Sequence, residues 1–337
     1  MKIAVDAMGG DHAPAEIIKG SIRAANKFTE ITIILVGSRE KIMECIPGTG
    51  LPPNMEIVEA GEMIEMDEHP AAAVRNKKDS SIVVGTRLVH EGKAGAIVGA
   101  GSTGAQMAAA LFGLGRIKGI SRPGIATIIP TLHRGKLLVD VGANPDAKPE
   151  NLLQFAMMAS IYSELVLGIE KPRVALLNIG SEEGKGNELV KEAYELLKKS
   201  SLNFVGNIEG RDIPAGNADV IVCDAFVGNI VLKTMEGLAS SFAKLLKEKL
   251  TANALRKAGA LLVKPGLKEF AQDLDYSQYG GAPLLGVNGT SIICHGSSDE
   301  TAIFHAIRVA KECIERGIIE KIAMEVEKFG QINHDKT

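Results

Sequence analysis

The sequence predicts an α/β fold: a largely parallel sheet with flanking helices, similar in kind to the open sheets that bind ligands at strand ends. Three observations carry this reading. Ten apolar runs, most of them continuous and rich in Val and Ile, suit strands covered on both faces. Helical segments between them supply the crossovers that parallel neighbours need. Five of the runs also pass directly into a loop of Gly, Asn, Ser or Asp, and such a turn ahead of a helix leaves backbone N–H groups free to meet an anion.

Taken in order, the first strand is Ile3–Ala7. It enters Asp6-Ala7-Met8-Gly9-Gly10-Asp11-His12, and Pro14 is placed to open a helix. Ile31–Val36 follows and stops before Ser38, a residue suited to an N-cap, and Met55–Ala60 is the third run. A helix from near Ser80 leads to Ala94–Val98, which passes into Gly99-Ala100-Gly101-Ser102-Thr103-Gly104 and a helix after Ser102-Thr103. Gly124–Pro130 and Lys136–Val141 come next, the second leading through Asp140 into Gly142-Ala143-Asn144-Pro145. The helix from near Pro149 is apolar nearly all round between Leu152 and Leu167, so it must be covered on several sides, as a central helix or at a dimer interface.

Arg173–Ile179 enters a loop holding Glu182, Glu183, Lys185 and Asn187, with a helix starting near Gly184-Gly186. Leu202–Ile208 and Ala218–Cys223 follow, and the latter enters Asp224-Ala225-Phe226-Val227-Gly228-Asn229 before another helix. The segment 230–270 is amphipathic and locally basic, with Leu238, Phe242, Leu255, Leu261 and Leu262 among Lys244, Lys247, Arg256, Lys257 and Lys264. Tyr279 to Gly286 reads as a loop, Ser291–Cys294 as the last strand, and His295 as the residue between it and a helix opening at Ser297-Ser298. No repeat, low-complexity tract or linker divides the chain, which reads as one domain over 1–337, a single large unit or two lobes sharing a cleft.

Composition narrows the function. Of 337 residues, 38 are basic and 41 acidic, so the net charge of −3 provides no global field to recruit nucleic acid. Tryptophan is absent and aromatics are few, which weakens any reading based on stacking. The four cysteines lie far apart without a C-x-x-C pair, against a disulfide framework or structural zinc and in favour of a cytoplasmic protein; no metal-ligating set is read. The N-terminus reaches Asp6 and Asp11 before any long apolar stretch, so it is not a signal peptide, and no run approaches the ~20 residues of a membrane span.

Gly99 to Gly104 spells the dinucleotide fingerprint, yet from Ala105 to Val139 there is no Asp or Glu to hold a ribose. Nicotinamide binding is therefore disfavoured, with an arrangement using Arg116 or Arg122 left open; the alternatives are an anion cradle and a tightly packed turn. In the loop after Arg173–Ile179, Lys185 is followed by Gly and the glycine spacing is wrong for a nucleotide P-loop. Lys185 is then a point charge for phosphate or a developing oxyanion, or an exposed lysine paired with Glu182 or Glu183. Asn144 and Asn229 each follow a strand-end Asp and serve either as turn makers or as ligand holders. His295 and His12 are imidazoles at helix-opening loops, catalytic or simply solvated. There is no G-x-S-x-G elbow and no recognisable cysteine nucleophile. Many anion-friendly loops without a nucleophile suggest that the substrate brings its own, and inorganic phosphate is one.

Read together, these loops resemble those of the bacterial phosphate acyltransferases of phospholipid synthesis. The matching stretches are Val5 to Asp11, Gly101 to Ala105, Asp140 to Asn144, Leu177 to Gly180 with Lys185 to Asn187, Phe226 to Asn229, and Tyr279 to Gly286. Ser102 departs from the Asn more frequent in that family, which leaves its side chain's role less defined. The resemblance implies a fold similar to the isocitrate and isopropylmalate dehydrogenases and to phosphotransacetylase, a homodimer and no organic cofactor. It also implies transfer of a fatty acyl group from the thioester of acyl carrier protein to inorganic phosphate, giving an acyl-phosphate. The alternative is a short-chain phosphotransacetylase acting on coenzyme A thioesters. On this reading Lys185, Asn229 and the backbone of Gly101, Ser102, Thr103 and Gly104 bind phosphate and the oxyanion, and His295 passes a proton to the leaving sulfur. Asp6, Gly9, Gly10, Asn144 and Gly228 complete the substrate-binding set, Asp6 and Asn144 by holding the loops or orienting substrate, and segment 230–270 packs on its own protein, docks the carrier protein or touches the membrane surface as a peripheral contact.

Overall fold

The computed structural model describes residues 1–334 apart from Pro47, Thr49, His133, Arg134 and Asp275. Among the described residues the strands are β1 (Lys2–Asp6), β2 (Thr32–Gly37), β3 (Met55–Glu59), β4 (Ala96–Gly99), β5 (Gly124–Ile129), β6 (Lys136–Val139), β7 (Val174–Asn178), β8 (Phe204–Glu209), β9 (Val220–Val222), β10 (Ala282–Leu285) and β11 (Thr290–Ile293). Between and after them come α1 (Ala15–Lys27), α2 (Arg39–Glu44), α3 (Pro70–Asn76), α4 (Ser81–His90), α5 (Thr103–Gly113), α6 (Pro149–Leu165), α7 (Glu188–Lys199), α8 (Ala225–Leu250), α9 (Ala254–Leu274), α10 (Glu300–Glu315) and α11 (Ile318–His334).

All the strands join one sheet in the order β3-β2-β1-β4-β11-β10-β5-β6-β9-β7-β8. The first five in that order are parallel to one another, as in the register Val5↔Leu35 and Val5↔Val98. The last four are also mutually parallel. Between the two groups β10 is antiparallel to both neighbours and β5 is antiparallel to β6. Following those pairings across the sheet, β6, β9, β7 and β8 run opposite to β1, β4 and β11.

That reversal qualifies the parallel pattern read from the sequence, which by itself would bring all the strand-end loops to one edge. The loops after β1, β4 and β11 leave one edge, and those after β6, β7 and β9 leave the other. A correction concerns β10, expected as loop. Gly280, Gly281 and Pro283 carry the local signal of a turn, while the strand is four residues long and divides its ladder, Ala282 and Pro283 pairing with β11 and Leu284 and Leu285 with β5.

The core follows from the apolar runs. Ile3, Val5, Ile33, Leu35, Val98, Leu137, Val139, Val174 and Val220 are completely buried in a layer shared with α1, α6 and α10. Helix α6 has Leu152, Phe155, Met158 and Tyr162 inside and packs against α7, α11, β6, β9 and β10, so the chain itself covers it as a central helix. The segment 230–270 is divided between α8 and α9, which pack on each other as a helical pair and leave Leu238, Phe242, Leu255, Leu261 and Leu262 exposed. No helix among the described residues is long and apolar enough to cross a membrane.

Candidate active site

At the first edge three loops interlock through backbone. The carboxylate of Asp6, buried at the end of β1, accepts hydrogen bonds from the amides of Met8 and Gly9 at 3.1 Å each through Oδ1. This folds the chain back on itself; burial pushes the Asp6 carboxyl up from its ordinary value, against opposing hydrogen bonds from Ser81, Met8 and Gly9. A Cβ at Gly9 would stand 2.9 Å from the amide nitrogen of Gly101, so the loops after β1 and β4 meet with no room for side chains. Gly10 has φ +117° and lies against the carbonyls of Ala100 and Gly296, and the Asp11 amide donates to the Gly296 carbonyl at 2.8 Å. The loop after β11 is thereby tied to the other two.

Ser102 is the N-cap of α5, its hydroxyl accepting from the Ala105 amide at 3.4 Å, which uses the side chain locally and leaves the amides of Thr103 and Gly104 in the first helical turn as donors. Thr103 is exposed, and Gly104 packs against Pro70 of α3. A small pocket beside this turn is lined by Asp6, Gly9, Ser81, Gly101, Ser102 and Gln106.

At the opposite edge, Asp140 organises the loop after β6. Its Oδ1 accepts from the amides of Ile125, Gly142 and Ala143, and Oδ2 from the amide and side chain of Asn144. Asn144 spends its remaining donor on the Pro123 carbonyl at 2.6 Å and is buried, so it holds the loop. Gly228 is pressed into the Asp140 carbonyl and has the same packing role. The sequence placed the start of α8 after Asn229; it lies at Ala225, capped by Asp224, whose carboxylate accepts from the Val227 amide at 3.0 Å. The Asp-to-Asn spacing that read as a strand-end loop is a helical first turn, because an Asp N-cap is itself a helix-start signal.

Helix α8 connects the edges. Val231, Leu232 and Met235 pack on the cluster containing Ile125, Leu138 and Leu284, and Lys233 reaches the loop after β11, where its Nζ is 3.0 Å from Nε2 of His295. Asn229 lies four residues before Lys233 on the same exposed helical stripe. Asn229 and His295 are therefore brought to one region through a lysine that the motif reading passed over. Its signal was present in the sequence only as one more lysine in a basic segment.

Lys185 lies in the exposed loop after β7, its amide donating to the Glu182 carbonyl and its own carbonyl accepting from Asn178 Nδ2 at 3.0 Å. Of its two expected partners, Glu182 and Glu183, the second is held by Lys198 and Tyr194, and among the described residues Lys185 forms no ion pair. His12 is exposed at the end of the first loop. Cys223, Cys294 and Cys313 are buried. Burial pushes the thiols of Cys294 and Cys313 up to about 12, so neither supplies a thiolate at neutral pH.

The arrangement defines an α/β protein of the phosphotransacetylase type of fold. The phosphotransacetylase EutD of Staphylococcus aureus superposes with a TM-score of 0.58 at 18% identity, covering 93% of this chain and 94% of that one. A 4-hydroxythreonine-4-phosphate dehydrogenase of Klebsiella pneumoniae gives 0.53 at 12% identity over 93% and 98%. At these identities the likeness is one of fold, and it shows that one fold hosts different chemistries. The chain belongs to the fatty acid synthesis protein family, whose pattern it matches over residues 1–321. Its relatives include proteins called phosphate acyltransferase from Desulfitobacterium hafniense, 66% identical over 98% of both chains, and from Heliobacterium modesticaldum, 59% identical over 96% of both.

Proposed function

We propose that this chain is a phosphate acyltransferase, an enzyme that moves a fatty acyl group from a thioester to inorganic phosphate to give an acyl-phosphate for phospholipid synthesis. The observation that carries it is the 66% identity, over 98% of both chains, to a phosphate acyltransferase. Phosphate attacks the thioester carbonyl, the C–S bond breaks, and the sulfur leaves with the electron pair as a thiol once protonated. Thiolate is a good leaving group, so positioning and stabilisation of charge dominate. Buried, high-pKa Cys294 and Cys313 support a mechanism in which phosphate is the nucleophile.

In this reading the amides of Thr103 and Gly104 at the start of α5, with Asn229 and Lys185, meet anionic oxygen, and His295 serves the leaving sulfur. Asp6, Gly9, Gly10, Gly101, Ser102, Asn144 and Gly228 hold the substrate loops in shape, and residues 1–337 act as one catalytic unit. The acyl donor is acyl carrier protein, an acidic partner complementary to the basic residues of α8 and α9. The enzyme is a homodimer that rests on the membrane surface; Leu255 and Leu262, 84% and 85% exposed beside Arg256, Lys257 and Lys264, support lipid contact. Unchanged co-sedimentation of K257E/K264E with anionic liposomes removes the lipid contact.

The test of the whole reading is thiol release from palmitoyl-acyl carrier protein with and without orthophosphate. Release that ignores phosphate overturns it. A preference for acetyl-coenzyme A over the long-chain carrier-protein substrate favours the phosphotransacetylase alternative.

A further inference from the structure

His295 sits between Ser297 on its own loop and Lys233 on α8. On one side both donors of Ser297 converge on Nδ1, the amide nitrogen at 3.2 Å and the hydroxyl oxygen at 2.7 Å. A backbone amide cannot accept, so Nδ1 is the acceptor and the ring proton belongs on Nε2. On the other side the ammonium of Lys233, anchored by Glu236 at 2.8 Å, stands 3.0 Å from that same Nε2. An ammonium cannot accept either. Two N–H donors on different elements, one on α8 and one after β11, thus stand donor against donor, and both side chains are open to solvent. An anionic oxygen placed against both converts an unfavourable donor pair into two charge-assisted hydrogen bonds.

We propose that Lys233 and His295 form a two-pronged clamp for a phosphate-type oxyanion, which makes Lys233 a ligand-binding residue of the site. The inference rests on the reading of the chain as an acyltransferase using phosphate, and it gives His295 an anion-binding role. The oxyanion has two sources in that reaction, the orthophosphate co-substrate and the phosphodiester of the pantetheine arm.

The first test needs no turnover. Full-length protein carrying 15N-labelled histidine, with H295Q used for assignment, should show the His295 ring proton on Nε2, and its Nε2 signal should move on adding orthophosphate or a phosphopantetheine thioether. A ring proton on Nδ1, with Nε2 accepting from Lys233, overturns the clamp. The second test is calorimetric titration with each of the two ligands. Lys233→Met and His295→Phe should each weaken one of them about tenfold, the size of a lost charge-assisted bond at an open site, whereas Lys233→Arg and His295→Gln, which keep an N–H, should lose less. Weaker orthophosphate binding assigns the clamp to the co-substrate, and weaker thioether binding alone assigns it to the arm. Equal affinity of wild type and both truncations for both ligands overturns it. Because these measurements omit the acyl donor, a failure of phosphate-dependent thiol release would sink the acyltransferase reading without deciding the clamp.

Discussion

Gly228 is wedged against Asp140 so closely that a Cβ at residue 228 would overlap the Asp140 carbonyl oxygen. This contact joins the first turn of α8 to the loop after β6. Because the obstacle is backbone that is itself fixed by five hydrogen bonds to the Asp140 carboxylate, neither partner can yield. Gly228→Ala should therefore destabilise the protein by about 3 kcal/mol or more, the upper range for overpacking a closed site. A chemical denaturation midpoint equal to that of wild type would show that α8 docks differently.

Lys185 has no carboxylate partner among the described residues, so its charge is available to an anionic reactant. Lys185→Ala should lower kcat about 100-fold, the loss seen on removing one electrostatic stabiliser, while leaving the unfolding midpoint within experimental error. Wild-type kinetics would remove Lys185 from the site.

At the other ends of the second strand group, Asp219 lies before β9 with Lys136 and Arg173 at the starts of β6 and β7. Its Oδ1 accepts from Lys136 at 2.6 Å and its Oδ2 from Arg173 at 3.0 Å. Burial alone would push the carboxyl up, but the hydrogen bonds from Arg173 and Lys136 outweigh it and hold the group at about 2. A depressed carboxyl stabilises the fold above its unfolded value near 3.8 and loses that contribution as pH falls toward about 2. Asp219→Ala should thus be less stable than wild type at pH 7, and the difference should narrow across that acid window. A difference that stays constant with pH would contradict the assignment.

Cysteine reactivity offers a direct check on the absence of a thiol nucleophile. Cys45 is partly exposed and Cys223, Cys294 and Cys313 are buried. Ellman's reagent should react quickly with one thiol in the native protein and with all four, the number in the sequence, after denaturation. Rapid reaction of a second thiol, or a trapped acyl-cysteine during turnover, would contradict the mechanism.

The apolar runs were legible because buried parallel strands have no polar face to confuse the pattern; each of the ten expected strands is present with its ends moved by no more than two residues. Strand β10 was hidden because Gly281 and Pro283 are local turn signals, and its position between β11 and β5 is set by partners remote in sequence. Strand direction was hidden for the same reason, so Lys185 and Asn144 could be recognised as loop residues but not assigned to the correct edge. Gly9, Gly10, Gly101 and Gly228 read as substrate-binding glycines, and the structure adds close backbone packing at each, a role that spacing alone does not reveal. Lys233 was unreadable as a site residue because its partner lies 62 positions away.

The hairpin of β10 and β11 carries a consequence for biosynthesis. These eight residues, supplied near the end of the chain, are all that bridges β4 to β5 within the sheet. Until they leave the ribosome, the two strand groups emerge as separate half-sheets, each with a bare inner edge exposing unpaired amides and carbonyls. A nascent chain stalled before residue 282 should accordingly bind holdase chaperones and aggregate, and release should come with the synthesis of one short ribbon.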